Sequence, residues 1–289
     1  MKTKIFFFLS LSHFLITHPY FTLDQIAPNL KYYTAKETLN KIVGLISSKQ
    51  KGAYLRFGDG EFALAKGRNW GKQQLIKGIE LEMREAMSLN GPTILKSIPM
   101  NCKKLNTNEK GMSPGTHERS YDVTLKFLRD IAQFWGKPIK NVYSPVALHH
   151  VAVTDHDYCL EFLQFLKSHN SCILIGNENI PKHITTMLFG SHCMFIPTPP
   201  KHPYKIIDSV EQKCLEVAKK DNEYKVIIFA AGTLSKMLQK RLWYKLDNVF
   251  LFDFGSLIDA LCDWNTREWI NDNTAALNAL KQKLILALQ

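Results

Sequence analysis

The sequence predicts an α/β fold in which a mostly parallel sheet carries helices on both faces. Short apolar runs rich in β-branched residues alternate along the chain with longer amphipathic stretches. The apolar runs are nearly continuous, which is typical of parallel strands buried on both faces. Most runs end in Gly, Asn, Asp or Ser, as strand-to-helix turns do. This pattern is Rossmann-like, and such sheets bind ligands beyond the carboxyl ends of their strands.

The composition fits one packed domain. The chain has 289 residues, of which 45% are hydrophobic and 11% aromatic. This length suits one large α/β domain, and the apolar content excludes a mainly disordered chain. The sequence contains no tandem repeat, low-complexity tract or Gly/Ser linker. We therefore expect a single domain over residues 30–289.

The first half of that domain contains recognisable start and stop signals. Thr34-Ala-Lys-Glu37 is a capping box, in which the threonine and glutamate side chains each bond the other's backbone, and it predicts a helix to about Lys49. Three strands, two further helices and one polar loop are predicted from apolar periodicity and turn residues. The strands are 53–58, 93–99 and 141–147, the helices are 75–89 and 118–135, and the loop is 101–116.

The second half alternates more regularly. Asp155 can cap a helix that runs to Lys167, Pro181 can stand in the first turn of a short helix, and Thr233 can cap a helix to about Leu246. A further helix is predicted over 205–220, and one or two helices finish the chain. The predicted strands are 171–177, 193–199, 224–232 and 248–255.

The chain is strongly basic. Its 37 Lys and Arg residues exceed its 26 Asp and Glu residues, which gives a net charge of +11. This balance favours anionic partners such as nucleotide phosphates or an anionic membrane surface, although a generally basic surface would explain it equally. We expect no nucleic-acid binding, because no helix-turn-helix, RNP or zinc-finger pattern is present. The densest basic cluster is small: Lys236, Lys240, Arg241 and Lys245.

The six cysteines form no CxxC pair. Cys172 and Cys193 stand inside apolar runs, which predicts buried thiols. This pattern suits a reducing, cytoplasmic compartment and indicates neither a zinc site nor a disulfide framework.

Residues 1–23 conflict with a cytoplasmic location. Lys2 and Lys4 precede the apolar run IFFFLSLSHFLI, as in a secretory signal. The run is too short for a confident transmembrane helix, and no small-x-small cleavage site follows it. An interfacial anchor, or an N-terminal helix packed on the domain, are the other interpretations. We therefore expect a cytoplasmic protein with peripheral membrane association, or alternatively one exported through this segment.

Four predicted strand ends carry polar residues. Turns between strands and helices commonly do so, and any one of them is explained by turn chemistry alone. Together they would place Asp59, Glu61, Glu178 and Asp253 along one edge of the sheet. The four segments are Gly58-Asp59-Gly60-Glu61, Gly176-Asn177-Glu178-Asn179, Ala231-Gly232-Thr233 and Asp253-Phe254-Gly255-Ser256.

The GDGE segment carries two acids one residue apart. In an extended turn, Asp59 and Glu61 would point to the same side and raise each other's pKa unless a cation lay between them. Two carboxylates suit Mg²⁺ or Mn²⁺, which take substrate phosphates as further ligands. The segment is equally consistent with a helix N-terminus, where acids interact favourably with the helix dipole. Both interpretations remain open from the residues alone.

Other motifs are weaker. AAGTLSK (230–236) leads from a strand into a helix, so Gly232 and Thr233 could approach a phosphate, but the segment is neither a Walker A nor a GxGxxG motif. No GxSxG elbow indicates a hydrolase. His149 and His150 follow a strand and could lie near a site, although structural roles are the simpler interpretation.

RFGDGEF (56–62) resembles the opening motif of the GT-D-type glycosyltransferases, a family long labelled a domain of unknown function. Further resemblance extends over about residues 34–265. It lies in IIFAAGTLSKMLQKRL (227–242), NVFLFDFGSLIDAL (248–261), ILIGNENI (173–180) and FIPTPPKHPYKIID (195–208). The first motif is fairly specific and the later ones are diffuse. The resemblance implies a Rossmann-like fold whose D-x-E motif binds a divalent metal and a nucleotide sugar.

Carried over by position, Asp59 and Glu61 would hold Mn²⁺ or Mg²⁺ at the donor diphosphate. Some family members have histidine where this chain has Ser256, so the resemblance does not identify the general base. Asp259 is the first candidate and Glu178 the second. The residues implied at the nucleotide sugar are Arg56, Phe57, Gly58, Gly176, Gly232, Thr233, Asp253, Gly255 and Ser256.

The resemblance implies transfer of a hexose from a nucleotide sugar to a glycan or glycoprotein acceptor. We expect the nucleotide of the donor to be UDP. One alternative is another Rossmann-like transferase such as a methyltransferase, with GDGE as a cofactor turn. The usual E/D-x-G-x-G order is absent from that turn, and no later acid clearly serves a ribose. The other alternative is a non-catalytic glycan-binding protein on the same scaffold, which the intact D-x-E motif disfavours.

Overall fold

The computed structural model describes residues 30–69, 75–99, 134–135 and 139–288. The apolar segment 1–23, the predicted loop 101–116 and nearly all of the predicted helix 118–135 lie outside these residues. Within the described part of the chain, strands and helices alternate as the sequence predicts.

Eight strands of the described residues form one sheet. Their order in space is β1-β4-β3-β2-β8-β7-β5-β6, and every neighbouring pair is parallel. The strands are β1 Lys31–Tyr33, β2 Gly52–Arg56, β3 Ile94–Ser97, β4 Asn141–Tyr143, β5 Cys172–Asn177, β6 Met194–Thr198, β7 Lys225–Ala230 and β8 Val249–Asp253.

The helices follow the strands along the chain and cover the sheet. They are α1 Ala35–Ser47, α2 Asp59–Ala65, α3 Ile79–Ser88, α4 Ala147–Thr154, α5 His156–Lys167, α6 Lys182–Phe189, α7 Ile207–Ala218, α8 Leu234–Trp243, α9 Leu257–Leu261, α10 Glu268–Asp272 and α11 Thr274–Leu288. A 3₁₀ turn over Pro203–Ile206 leads into α7. Among the described residues, no helix has both the length and the apolar character that a membrane span requires.

Both faces of the sheet are buried, as a parallel sheet requires. Leu251 in β8 belongs to the core cluster that includes residues of α3, α7 and α8. Its neighbours Phe250 and Phe252 point the other way, into the cluster that includes residues of α1, α4, α5 and α11. The predicted α/β fold with helices on both faces is therefore confirmed.

Several local predictions are also confirmed. The Thr34 hydroxyl accepts the backbone N–H of Glu37, and the Glu37 carboxylate accepts that of Thr34, which completes the predicted capping box of α1. Asp155 caps α5 by accepting the N–H of Tyr158. Other elements were not predicted: β1 has only three residues, and α4 occupies residues assigned to the end of a strand and to an unassigned stretch. Helix α2 was also not among the predicted elements, and three helices follow β8 where one or two were expected.

The sheet order sets the position of the site. β8 lies between β2 and β7, and its last residue, Asp253, pairs in register with Phe229 of β7. The turns after β2, β8 and β7 are therefore neighbours at the carboxyl edge of the sheet. Three of the four polar strand ends meet there, and β5 brings the fourth to the far side of β7.

Candidate functional site

The GDGE segment is helical rather than extended. Asp59 and Glu61 are the first and third residues of α2, with Gly58 at its N-cap. The Glu61 Oε2 atom accepts the N–H of Gly58 at 2.8 Å, so this acid caps its own helix. The expectation that the two side chains point to the same side because of a strand period of two was wrong. Residues two apart in a helix point to different sides.

A buried lysine joins this helix to the central strand. The Lys236 ammonium lies 2.6 Å from Oδ2 of Asp253 and 3.5 Å from Oε1 of Glu61. It also donates to the carbonyl of Gly232 at 3.3 Å. Lys236 is 6% exposed and Asp253 is 3% exposed, so water screens their interaction poorly. Glu61 and Asp253, which were predicted from separate motifs, thus both lie near the Lys236 ammonium, and Lys236 belongs to a third element, α8.

A second cation lies near the other carboxylate oxygen of Asp253. Arg56, the last residue of β2, places Nη1 3.7 Å from Oδ1 of Asp253, and its Nε donates to the carbonyl of Pro145. The guanidinium passes directly over Gly255. A Cβ built on Gly255 would lie 1.6 Å from Arg56 Nη1 and 3.0 Å from a His149 nitrogen. With φ at +73°, Gly255 is required by both its backbone conformation and this close approach.

His149, on helix α4, is a further residue of this site. Its ring stacks on Trp269 with centroids 4.3 Å apart and planes 14° apart. Burial lowers the pKa of His149 well below its ordinary value, and the positive charges of Arg56 and Arg267 lower it further. The histidine is therefore neutral at physiological pH. Trp269 Nε1 donates in turn to the Ser256 hydroxyl at 3.0 Å, which ties Ser256 to this stack.

Asp259 lies on α9, one turn beyond Ser256. Burial raises the pKa of its carboxyl, while the Thr266 hydroxyl and the charge of Arg267 act in the opposite direction. Thr266 Oγ1 donates to Asp259 Oδ2 at 2.6 Å. A carboxylate with a raised pKa that is held by one hydroxyl is a reasonable proton acceptor near neutral pH.

The remaining predicted residues take varied positions. Glu178 is exposed beyond β5, and its backbone N–H donates to Thr198. Phe57 is 1% exposed and packs edge-on against Trp135, so its ring belongs to the core. Gly176 packs closely against Ile180, since a Cβ there would lie 2.9 Å from Ile180 Cδ1.

Gly232 and Thr233 lie at the turn between β7 and α8. Gly232 is exposed with φ at +60°, and Thr233 is the N-cap of α8 without a side-chain cap hydrogen bond. The N-terminus of this ten-residue helix thus opens at the carboxyl edge, beside Lys236. Backbone N–H groups in such a position favour an anion.

Three residues that complete the site were not predicted from the sequence. Lys236 was noted only as part of a basic cluster, and His149 was assigned a structural role. Trp269 was not singled out. Lys236 had a usable signal, because it stands in the first turn of the helix that follows Gly232, where a cation is otherwise unfavourable.

The carboxylates of Asp59 and Glu61 are the groups that would bind a divalent cation at this edge of the sheet. The Glu61 carboxylate accepts the Gly58 N–H and lies near Lys236, and Asp59 is the other carboxylate of this segment. The described part of the chain contains no group of three or more His, Cys, Asp or Glu side chains that could hold a metal ion. Mg²⁺ and Mn²⁺ commonly use one or two carboxylates together with substrate phosphates. These residues therefore fit a metal that arrives with a diphosphate better than a resident ion.

A groove of about 830 Å³ lies elsewhere on the molecule. Residues of α5, α6 and α11 line it, among them Lys182, His183 and Ile285. None of the predicted site residues borders this groove. We place the site at the carboxyl edge instead, because buried charges and a helix N-terminus converge there.

Comparison with known proteins supports the fold. No protein-family model matches the sequence, and no significant match was found among curated proteins. Among solved structures, a glycosyltransferase (DUF1792) from Streptococcus sanguinis is 17% identical, with a TM-score of 0.55 over 81% of this chain and 84% of that one.

Two further structures of domain of unknown function 1792 are each 15% identical, and each match covers 82% of this chain and 81% of the other. Their TM-scores are 0.57 and 0.56, and the second is described as having a distinct glycosyltransferase fold. Identities this low establish the fold alone. They confirm the fold that the RFGDGEF resemblance predicts.

Proposed function

We propose that this protein is a glycosyltransferase that moves a hexose from a nucleotide-activated donor to a glycan or glycoprotein acceptor. One observation carries the proposal: the chain has the fold of solved glycosyltransferases and gathers buried Lys236 and Asp253 with half-buried Arg56 and Glu61 where such a sheet binds ligands. A purely structural core rarely buries so many charges, because desolvation is costly.

The donor diphosphate would lie at the N-terminus of α8. Lys236 supplies a positive charge there, and the exposed Gly232 lets the backbone approach closely. On binding, the Lys236 ammonium would exchange part of its contact with Glu61 for a phosphate oxygen. Its 3.5 Å separation from Glu61, against 2.6 Å from Asp253, makes Glu61 the weaker of the two partners.

Asp59 and Glu61 would hold Mn²⁺ or Mg²⁺ together with the diphosphate oxygens. When bound, the metal supplies positive charge that stabilises the departing diphosphate. Releasing Lys236 toward a phosphate would free Oε1 of Glu61 as a ligand. Arg56 would keep Asp253 oriented, since its Nε is fixed by the carbonyl of Pro145.

Asp259 is the proposed base for the acceptor hydroxyl. The pKa of its carboxyl is raised toward neutral pH, and the hydrogen bond from Thr266 fixes the orientation of the carboxylate. Glu178 is the second candidate, although it is exposed and lies on the far side of β7. An inverting displacement would use such a base directly.

We propose UDP as the nucleotide and a surface glycan or glycoprotein glycan as the acceptor. The net charge of +11 would attract an anionic donor and favour peripheral association with an anionic membrane.

Thermal melting with UDP, with and without Mn²⁺, tests the donor site. Only ligands that bind the native state raise the midpoint, so a rise of several degrees that needs both ligands is expected. Asp59→Ala should abolish the rise. Asp157→Ala is the matched control, because Asp157 is also a first-turn helix acid but lies on α5 and is exposed. It should keep the full rise.

A panel of nucleotide sugars would then identify the donor through hydrolysis or transfer. If millimolar UDP and Mn²⁺ leave the wild-type midpoint unchanged, the donor-site proposal fails. A rise with S-adenosylmethionine instead would support a methyltransferase. A protein that binds glycans equally well with Asp59→Ala, and turns over no donor, would be the non-catalytic alternative.

A further inference from the structure

Cys172 and Cys193 lie side by side at the amino edge of the sheet. Cys172 opens β5, and Cys193 immediately precedes β6. The two strands pair in parallel from Ile173 and Met194 onward, so the cysteines are the preceding positions of the same register. Their sulfur atoms are 3.2 Å apart. The sequence predicted buried thiols at both positions; the structure buries Cys172, leaves Cys193 half-buried and brings the two into contact.

The two thiols differ in access. Cys172 is 3% exposed, whereas Cys193 is half-buried and open to solvent on one side. The hydrogen bond with Cys193 raises the pKa of the Cys172 thiol well above its ordinary value, and burial raises it further. Thiolates, not thiols, attack disulfides. Cys193 is thus suited to react first with a reagent from solution, and Cys172 to react second.

We propose that Cys172 and Cys193 form a thiol–disulfide exchange site that closes into an intramolecular disulfide with a low-molecular-weight disulfide, such as glutathione disulfide, as the oxidant. Neighbouring parallel strands lie about 4.7–4.9 Å apart, which is within the span of about 4.4–6.8 Å that Cα atoms have across a disulfide. Closure therefore needs side-chain rotation and no rearrangement of the sheet.

The exchange balances in two steps. The Cys193 thiolate attacks one sulfur of glutathione disulfide, which forms a mixed disulfide on Cys193 and releases one glutathione thiolate. Cys172 then loses its proton and attacks the Cys193 sulfur, which forms the Cys172–Cys193 bond and releases the second glutathione as a thiol. The two cysteines are oxidised by two electrons, and the glutathione disulfide is reduced to two thiols.

The bond would join β5 to the edge strand β6 and enclose helix α6 in the loop. A cross-link of this kind stabilises mainly by restricting the unfolded chain. It lies at the amino ends of the strands, whereas Lys236 and Asp253 lie at the carboxyl ends. Oxidation is therefore expected to raise thermal stability without changing nucleotide binding, and the inference does not depend on the proposed function.

The test is to incubate the native full-length protein with glutathione disulfide, alkylate the remaining thiols and map the peptides by mass spectrometry. The expected product is a Cys172–Cys193 disulfide with a melting midpoint raised by roughly 5–10 °C and restored by dithiothreitol. Cys262→Ser is the matched control, because Cys262 is also half-buried, and it should form the same disulfide.

Cys193→Ser should form no disulfide at Cys172 and should show no rise in the midpoint. Because the peptide map is made on the wild type, the test survives a variant that folds poorly. If glutathione stays on Cys193 while Cys172 remains open to alkylation after unfolding, or both thiols stay reduced, or Cys172 pairs with another cysteine, the proposal is overturned.

Discussion

The Lys236 ammonium lies 2.6 Å from Oδ2 of Asp253, and both side chains are buried beneath the carboxyl edge of the sheet. A buried ion pair is a weak source of stability, because desolvation offsets most of the attraction. Its position at the N-terminus of α8 suits the proposed donor site, where it would hold a desolvated positive charge in place for a diphosphate.

Replacing Lys236 with methionine should weaken UDP binding at least tenfold by titration calorimetry in the presence of Mn²⁺. The variant also leaves Asp253 short of a partner, which costs about 3–5 kcal/mol of stability. The double variant Lys236→Met/Asp253→Asn removes both charges and should recover much of that stability without recovering binding.

Lys240→Met is the matched control for that experiment. Lys240 is a buried lysine on the same helix, but it pairs with Glu82 and Glu85 away from the strand ends. Its loss should affect stability and leave UDP affinity within about twofold. Equal affinity losses in the Lys236 and Lys240 variants would contradict a specific role for Lys236.

Gly255→Ala should displace the Arg56 guanidinium, since the new Cβ would overlap Nη1. We expect a loss of about 1–2 kcal/mol from the positive φ alone, measured by denaturant unfolding, and a clear loss of donor affinity. Gly44→Ala provides the contrast. Gly44 lies within α1, and a Cβ built there would have nothing within 4 Å. The change should therefore raise the free energy of unfolding by about 0.5–1 kcal/mol and leave donor binding intact. Normal donor affinity in Gly255→Ala would argue against the role given to Arg56.

Asp259→Asn should lower the transfer rate by about 10²–10⁴-fold while donor affinity is retained, because the amide cannot accept the acceptor proton. In the wild type, the acid limb of the rate profile should lie above the ordinary aspartate range, since burial raises this pKa. A carboxyl with a raised folded pKa stabilises the protein below its unfolded pKa, and that contribution is lost as pH rises through the folded value. The asparagine variant should therefore melt slightly higher at neutral pH.

Asp263→Asn is the control for that prediction. Asp263 is an exposed acid beyond the end of α9, with φ at +59°, a conformation that asparagine also adopts readily. Its rate should match the wild type. If Asp259→Asn retains a normal rate, Glu178 becomes the residue to test.

His149 should make stability depend on pH below about 6.5. Its folded pKa is lowered, so the unfolded state binds more protons between the folded value and the ordinary value of 6.5. Stability is therefore full above that ordinary value and falls with acidification, by at most about 1.4 kcal/mol per pH unit for one group. Denaturant unfolding between pH 7.5 and 5 measures the slope.

His149→Phe should flatten this slope, because phenylalanine can keep the stack on Trp269 without titrating. His183→Gln, at an exposed position on α6, should leave the slope unchanged. A slope that is the same in wild type and His149→Phe would show that other groups cause the acid sensitivity.

Much of the fold could be predicted because its signals are local. The run 224–232 predicted a strand that is observed at Lys225–Ala230, because a short apolar run rich in β-branched residues is typical of a buried strand. The three residues of β1 are too short to show periodicity. Helix α4 has no side-chain cap and follows a strand directly, so no boundary signal marked it.

The site was only partly predictable. The sequence placed Asp59, Glu61 and Asp253 at strand ends, but it could not decide between an extended and a helical GDGE. That choice depends on Glu61 reaching back to the Gly58 N–H. The Lys236–Asp253 pair depends on β7 and β8 being neighbours, and strand order is a property of the whole sheet that no local pattern specifies.

The central place of β8 also has a consequence for biosynthesis. The strand is the last of the eight along the chain, yet it separates β2 from β7 in the sheet. Until it emerges from the ribosome, β1–β4 and β5–β7 can form only two incomplete half-sheets, with Arg56 and Lys236 on separate pieces. A product truncated before Val249 would lack the strand that joins these two pieces, and it would expose the unpaired edges of β2 and β7, which favours aggregation.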